Sequence, residues 1–109
     1  MSSKEPFVTV LTDDGKYQEL LSGFPQTAGM RAGKVYLEPN KDCSEHSTGD
    51  HEEMLVFLAG NGEAVIGEGK TLKVGAGKIL YIPPNTVHNI RNVSNEPLCY
   101  IYCVAPANK

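Results

Sequence analysis

Tight-turn signals interrupt this chain at short intervals and leave little room for long helices. Glycine, proline, asparagine and aspartate occupy the breaks, because these residues suit turn conformations of the backbone. The segments between the breaks are short and rich in apolar and β-branched residues, which is typical of strands. About nine such runs separated by tight turns predict an all-β barrel or sandwich. The predicted strands are residues 7–11, 31–37, 44–48, 51–59, 63–66, 71–74, 78–82, 87–93 and 98–104.

The length of 109 residues fits one domain. A barrel core is predicted over residues 31–104, preceded by an N-terminal arm, residues 1–30, of strand and one short helix. The helix candidate is residues 13–23 (DDGKYQELLSG), which has an acidic start, two adjacent leucines and a closing glycine.

The run MLVFLA, residues 54–59, is apolar on both faces of its predicted strand. A strand in a half-solvated sheet would alternate apolar and polar residues, so this strand is expected to be covered on both sides. One face would line the barrel interior. The other would lie under a second sheet, the N-terminal arm or a partner subunit, and a homodimer is therefore expected.

Charge, hydropathy and cysteine content bear on the partners and the cellular setting of this chain. The net charge is −3 and the ten lysines and arginines are scattered, so no nucleic-acid surface is expected. No window approaches 18 consecutive apolar residues, and the N-terminus lacks a long apolar stretch, so neither a membrane span nor secretion is expected. The three cysteines are predicted to be reduced thiols. These observations together favour a cytoplasmic protein.

All three histidines, His46, His51 and His88, fall within two short segments. The second segment, GKILYIPPNTVHNIRN, resembles the second sequence motif of the cupin family. The family usually has a glycine where Asn85 stands, and asparagine is the next-best residue for a left-handed turn position. The resemblance implies a cupin-type β-barrel, a double-stranded β-helix or jelly roll. The matching positions are Gly77, Pro83, Asn85, His88 and Asn92.

The first segment is similar to the first cupin motif, with one departure. His46 matches the first of the family's two paired histidines, and Glu53 is followed by six residues and Gly60, as at the motif's end. Asn40 replaces the opening glycine. Thr48 stands where the family has its second histidine.

The resemblance implies a metal site formed by His46, Glu53 and His88. His51 is two residues before Glu53, on the same face of the predicted strand, and could supply the imidazole that Thr48 cannot. Whether Glu52 or Glu53 is the ligand depends on the strand register, since a bulge would exchange them. Two or three imidazoles and a carboxylate suit Mn, Fe, Co, Ni, Cu or Zn.

The resemblance leaves the function open, because cupins include enzymes, sensors and storage proteins. A metal-dependent enzyme acting on a small polar molecule, as an oxygenase or isomerase, is the favoured hypothesis. A small-molecule binding or sensing module without turnover, and a dimeric scaffold with a vestigial site, are the alternatives. Phe57, Tyr81 and Tyr100 are candidate substrate-binding residues, and no catalytic residue is predicted beyond the metal ligands.

Overall fold

A computed structural model describes residues 4–107. These residues form nine strands and no helix, so the described part of the chain has no helix that could cross a membrane. The strands are β1 (Gln18–Ser22), β2 (Arg31–Leu37), β3 (His46–Ser47), β4 (His51–Ala59), β5 (Asn61–Ile66), β6 (Lys70–Gly75), β7 (Ile79–Ile82), β8 (Val87–Arg91) and β9 (Leu98–Pro106).

The strands form two antiparallel sheets that enclose one core. The five-stranded sheet has the order β1-β2-β9-β4-β7, and the four-stranded sheet has the order β3-β8-β5-β6. The all-β prediction is confirmed, and β2 and β4 have the predicted bounds. The core members are Leu37, Leu55, Phe57, Ala64, Val74, Leu80, Ile82, Ile90, Leu98 and Tyr100.

The predicted helix over residues 13–23 is wrong. Its C-terminal half is strand β1, which pairs with β2 and carries a bulge between Glu19 and Leu21. The bulge lets two adjacent leucines sit in a strand whose side chains otherwise alternate. Pairing with a neighbouring strand therefore overrides the local helix signal.

The predicted strand over residues 7–11 is also wrong, because this segment joins no backbone ladder. Side-chain hydrogen bonds hold it beside β1 instead: Gln18 Nε2 donates to Val10 O at 2.9 Å, and the Thr9 hydroxyl donates to Leu20 O at 3.3 Å.

Strand β4 buries one face only. Leu55 and Phe57 are in the core, whereas Met54 and Leu58 on the opposite face are 43% and 45% exposed. The prediction of a buried inner face is confirmed, and within this single chain the outer face is open to solvent.

Two asparagines hold the left-handed conformation that glycine usually supplies. Asn40 and Asn85 have φ angles of 67° and 56°. The Asn85 amide donates to Gly49 O at 2.7 Å, which joins the turn before β8 to the turn before β4. This bond holds together the two turns that lead into β4 and β8, the strands of Glu53 and His88.

Candidate metal centre

Two histidines face each other across one pair of strands. His46 on β3 and His88 on β8 are register partners, and their ring centroids are 4.3 Å apart. In an antiparallel ladder, directly opposite residues project to the same face of the sheet. The four-stranded sheet therefore presents both imidazoles to the interior of the barrel.

The third member of the cluster comes from the opposite sheet. Glu53 lies on β4, and its Oε1 is 3.2 Å from His88 Nε2. The possible ligand atoms of His46, Glu53 and His88 all lie within 4.8 Å of one another. Two cis ligands at metal–ligand distances of about 2.1 Å are about 3 Å apart, so the His88–Glu53 separation suits a shared ion. His46 is exposed, which leaves its ring room to adjust.

Backbone carbonyls orient both imidazoles. Ser44 O lies 2.9 Å from His46 Nδ1, and Thr86 O lies 3.0 Å from His88 Nδ1. A carbonyl can only accept, so Nδ1 carries the proton in each ring and Nε2 is left with its lone pair. Metal-binding histidines are commonly oriented by such a second hydrogen bond. The residues present therefore fit a divalent ion bound by two Nε2 atoms and a carboxylate.

The environment of His88 shows how strongly this site favours positive charge. Burial lowers the pKa of His88, but hydrogen bonds to Glu53 and to the Thr86 carbonyl, together with the Glu53 charge, raise it, and the net shift is upward. His88 is 1% exposed and Glu53 is 8% exposed. The pair thus favours a positive charge in the place where a cation would be held.

His51 and Glu52, the other residues considered as ligands, lie outside the cluster. His51 Nδ1 contacts Asp50 Oδ1 at 2.9 Å, near the surface end of β4. Glu52 points to the opposite face of the strand, where its carboxylate accepts a hydrogen bond from the Tyr81 hydroxyl at 2.8 Å. Of the four predicted metal ligands, the structure brings together His46, Glu53 and His88, and it does not bring His51 to them.

Thr48 has a structural environment of its own. Its hydroxyl donates to Pro83 O at 2.7 Å and accepts from the Thr86 amide at 3.0 Å. The side chain is 9% exposed. At the position where the resemblance leads one to expect a histidine, this chain therefore has a residue that ties the β3–β4 turn to the loop before His88.

A cavity of about 440 Å³ opens beside the three clustered side chains. Of the candidate substrate-binding residues, Tyr100 lines it. Phe57 lies deeper, packed on Tyr100 with ring centroids 5.0 Å apart. Tyr81 is 58% exposed on the outer face of β7, because the alternating residues Leu80 and Ile82 point inward. The structure thus places one of the three predicted residues, Tyr100, at the cavity wall.

Several cavity residues were missed by sequence reasoning. Tyr102 follows Tyr100 by two positions on β9, so strand periodicity alone could have identified it. Arg31 and Tyr17 also line the cavity, but their place there depends on how β1 and β2 pair with β9. Cys43 lies against the cavity wall, and burial raises the pKa of its thiol, which is thus held in the neutral form.

Comparison with known proteins identifies the fold. An uncharacterised protein of Methanocaldococcus jannaschii is 36% identical over 55 residues, a match that covers 50% of this chain and 43% of that relative. A solved structure from Bacillus halodurans superposes with a TM-score of 0.79 at 20% identity, covering 96% of this chain and 84% of that one. This chain therefore spans less than half of the length of the Methanocaldococcus relative and most of the length of the Bacillus halodurans structure.

A second similar structure is a metalloprotein. Bacillus subtilis oxalate decarboxylase, a protein with Mn(II) centres, superposes with a TM-score of 0.66 at 19% identity, covering 73% of this chain and 22% of that chain. Identity this low shows similarity of fold alone.

The family model of the cupin domain matches residues 33–104, which include most of the barrel and all three clustered side chains. With two sheets that enclose a cavity, and with the motif residues at its mouth, this chain belongs to the cupin family.

Proposed function

We propose that this protein is a metal-dependent enzyme that acts on a small polar molecule, with a divalent transition metal held by His46, Glu53 and His88. The observation that carries the proposal is the convergence of three ligand atoms within 4.8 Å, with Nδ1 of each imidazole bonded to a backbone carbonyl, which leaves Nε2 of each ring as the ligand atom. Two histidines and one carboxylate with open positions suit Fe(II) or Mn(II) chemistry.

The side chains of this chain have separable roles in such a reaction. A bound ion would supply Lewis acidity to a substrate oxygen. The apolar walls formed by Leu55 and Ile90 exclude water, which strengthens electrostatic interactions at the ligands. Tyr100 lies on the same wall, and burial raises the pKa of its hydroxyl, which therefore stays neutral.

Elemental analysis tests the metal. Untagged protein should be purified from cells supplemented in turn with manganese, iron, cobalt, nickel, copper and zinc. About one equivalent of at least one of these metals per chain is the expected result, and His88→Ala should contain none. A wild-type protein without stoichiometric metal after every supplement would contradict the proposal.

We also propose that two copies of the chain associate through the outer face of the five-stranded sheet. Met54 and Leu58 on β4, together with Ile79 and Tyr81 on the adjacent strand β7, are 43–66% exposed there. An apolar patch on a sheet face commonly marks an interface. Light scattering at micromolar concentration should give a dimer that Leu58→Lys dissociates, and a wild-type monomer would contradict this association.

The cellular setting is proposed on a separate observation. Cys43, Cys99 and Cys103 are free thiols, which supports a reducing compartment such as the cytoplasm. Recovery of the native protein mainly from a membrane or secreted fraction would contradict this setting.

A further inference from the structure

The cavity contains one strongly basic side chain. Among the described residues that line it, Arg31 is the only lysine or arginine. The aliphatic part of the Arg31 side chain passes over Gly23. A Cβ atom at Gly23 would lie 2.9 Å from Arg31 Cγ, so the glycine leaves the space that the arginine side chain occupies. None of the ion pairs among residues 4–107 includes the guanidinium. Arg31 is exposed and therefore brings to the opening of the cavity a positive charge that has no ion-pair partner within residues 4–107.

Two tyrosine hydroxyls lie at the same wall. Tyr17 and Tyr102 are joined through their oxygens at 2.7 Å, and both residues line the cavity. A hydrogen bond between two hydroxyls uses one of their two protons, so the other proton remains available to an acceptor. Burial raises the pKa of Tyr102, which keeps this hydroxyl protonated. The pair therefore adds a neutral donor near Arg31.

Strand register fixes how far this donor group lies from the candidate metal ligands. Val104 on β9 is the partner of Arg31 on one side and of Glu53 on the other. Arg31 and Glu53 are thus two strand spacings apart, about 10 Å between backbones. Tyr102 belongs to the next inward-facing row, between Gly33 and Leu55. Arg31 and Glu53 therefore line one cavity two strand spacings apart, a distance that a short carbon chain can span.

Much of the wall of this cavity is apolar. Val35, Leu55 and Ile90 line it, and none of these side chains can hydrogen-bond a ligand. Glu19 on β1 is in the same row as Tyr102, because Gly33 is the register partner of both residues, so one carboxylate lies near this mouth. A single guanidinium facing one acidic neighbour suits a singly charged carboxylate better than a doubly charged phosphate.

We propose that Arg31 and the Tyr17–Tyr102 pair form a carboxylate-binding subsite, so that the ligand is a small organic acid with a second polar group at the His46–Glu53–His88 cluster. This proposal rests on the proposed function in one respect only, that the metal cluster binds the second polar group of the ligand. Arg31 is a specificity-determining residue, since a guanidinium binds a carboxylate by paired charge-assisted hydrogen bonds.

Calorimetric titration tests the subsite with defined probes. The linear dicarboxylates from malonate to adipate and their uncharged diamides should be titrated into Mn²⁺-loaded protein and into EDTA-treated protein. At least one acid is expected to bind about tenfold more tightly than its diamide. Arg31→Gln should abolish this preference and Arg31→Lys should retain part of it. Lys73→Gln, which removes a positive charge from exposed strand β6, should leave the preference unchanged.

The outcomes separate the two proposals. Equal binding of every acid and its diamide by wild type, or an undiminished preference in Arg31→Gln, would overturn the subsite whatever the metal content. If wild-type protein binds no metal but retains an Arg31-dependent preference for an acid, the subsite stands and the proposed metal site fails. Arg31→Gln should also keep the wild-type metal content and thermal midpoint, which excludes a loss of binding through misfolding.

Discussion

His88 Nε2 lies 3.2 Å from Glu53 Oε1, and the contact joins the two sheets of the barrel at the wall of its cavity. Burial lowers the pKa of His88 but the contact with Glu53 raises it, so the metal-free pair favours a proton. In the metal-bound form the same two atoms are ligands, so proton and metal compete for one place.

This competition predicts opposite pH dependences with and without metal. The pKa of His88 is raised above 6.5 in the folded chain, so the contribution of the protonated pair to metal-free stability is present below pH 6.5 and is lost as the pH rises through the folded pKa. Mn²⁺ binding should instead weaken as the pH falls through that pKa, by about tenfold per pH unit for one competing proton. Thermal midpoints with EDTA and with Mn²⁺, measured from pH 5.5 to 8.5, check both trends.

A variant separates this pair from other titrating groups. In His88→Gln, the contribution of His88 to the pH dependence of metal-free stability and to that of Mn²⁺ affinity should disappear. Mn²⁺ affinity that is constant across this pH range in wild type would contradict the assignment of His88 as a ligand.

Thr48→Val should destabilise the protein without removing the metal ligands. The substitution leaves Pro83 O and the Thr86 amide without their hydroxyl partner, which costs about 1–3 kcal/mol. Chemical denaturation measures the loss. Thr48→Ser should recover most of the stability, and Thr71→Val, on the exposed part of β6, should change it by less than about 0.5 kcal/mol. A neutral Thr48→Val would show that the hydroxyl bridge contributes nothing.

Gly60→Ala should be far more damaging than Gly67→Ala. Both glycines have positive φ, at 88° and 60°, so alanine would strain the backbone at either position. Only at Gly60 would the added Cβ also clash with a backbone atom, Pro97 O. Backbone strain alone costs about 1–2 kcal/mol at Gly67, and Gly60→Ala should exceed this or fail to fold. Equal unfolding free energies for the two variants would rule out the close approach.

Asn92→Asp should destabilise the loop between β8 and β9. Asn92 is 1% exposed, and its Nδ2 donates to Leu37 O at 3.0 Å and to Glu96 O at 2.7 Å. Aspartate would place an acceptor oxygen against two carbonyls, at a cost above about 2 kcal/mol. Denaturant unfolding should show this loss, whereas Asn95→Asp in the exposed turn should be close to neutral. Wild-type stability in Asn92→Asp would contradict a buried role for the amide.

Much of the barrel could be predicted because its signals are local. The strands β2 and β4 have the predicted bounds, and Asn40 and Asn85 adopt the left-handed turns that their places in the motifs indicate. The N-terminal arm could not be predicted, because the two leucines after Glu19 fit either a helix or a bulged strand. Only pairing with β2 selects the strand.

The same distinction between local signals and long-range pairing applies to the residues of the candidate site. His46 and His88 come together because motif spacing sets their register, whereas the direction of His51 depends on its contact with Asp50 at the strand end. Arg31 reaches the cavity only through the order β2-β9-β4, which brings residues far apart in sequence into one row. Such long-range relations leave no pattern in a single sequence.

The central claim is that His46, Glu53 and His88 hold the metal and that His51 does not. Calorimetric titration of Mn²⁺ into wild type, His88→Ala and His51→Ala tests it most directly, because the two variants remove the same side chain from positions on the same barrel. The account predicts one site per chain in wild type and in His51→Ala with affinities within about threefold, and at least about a hundredfold weaker binding in His88→Ala. Loss of binding in His51→Ala, or undiminished binding in His88→Ala, would contradict it.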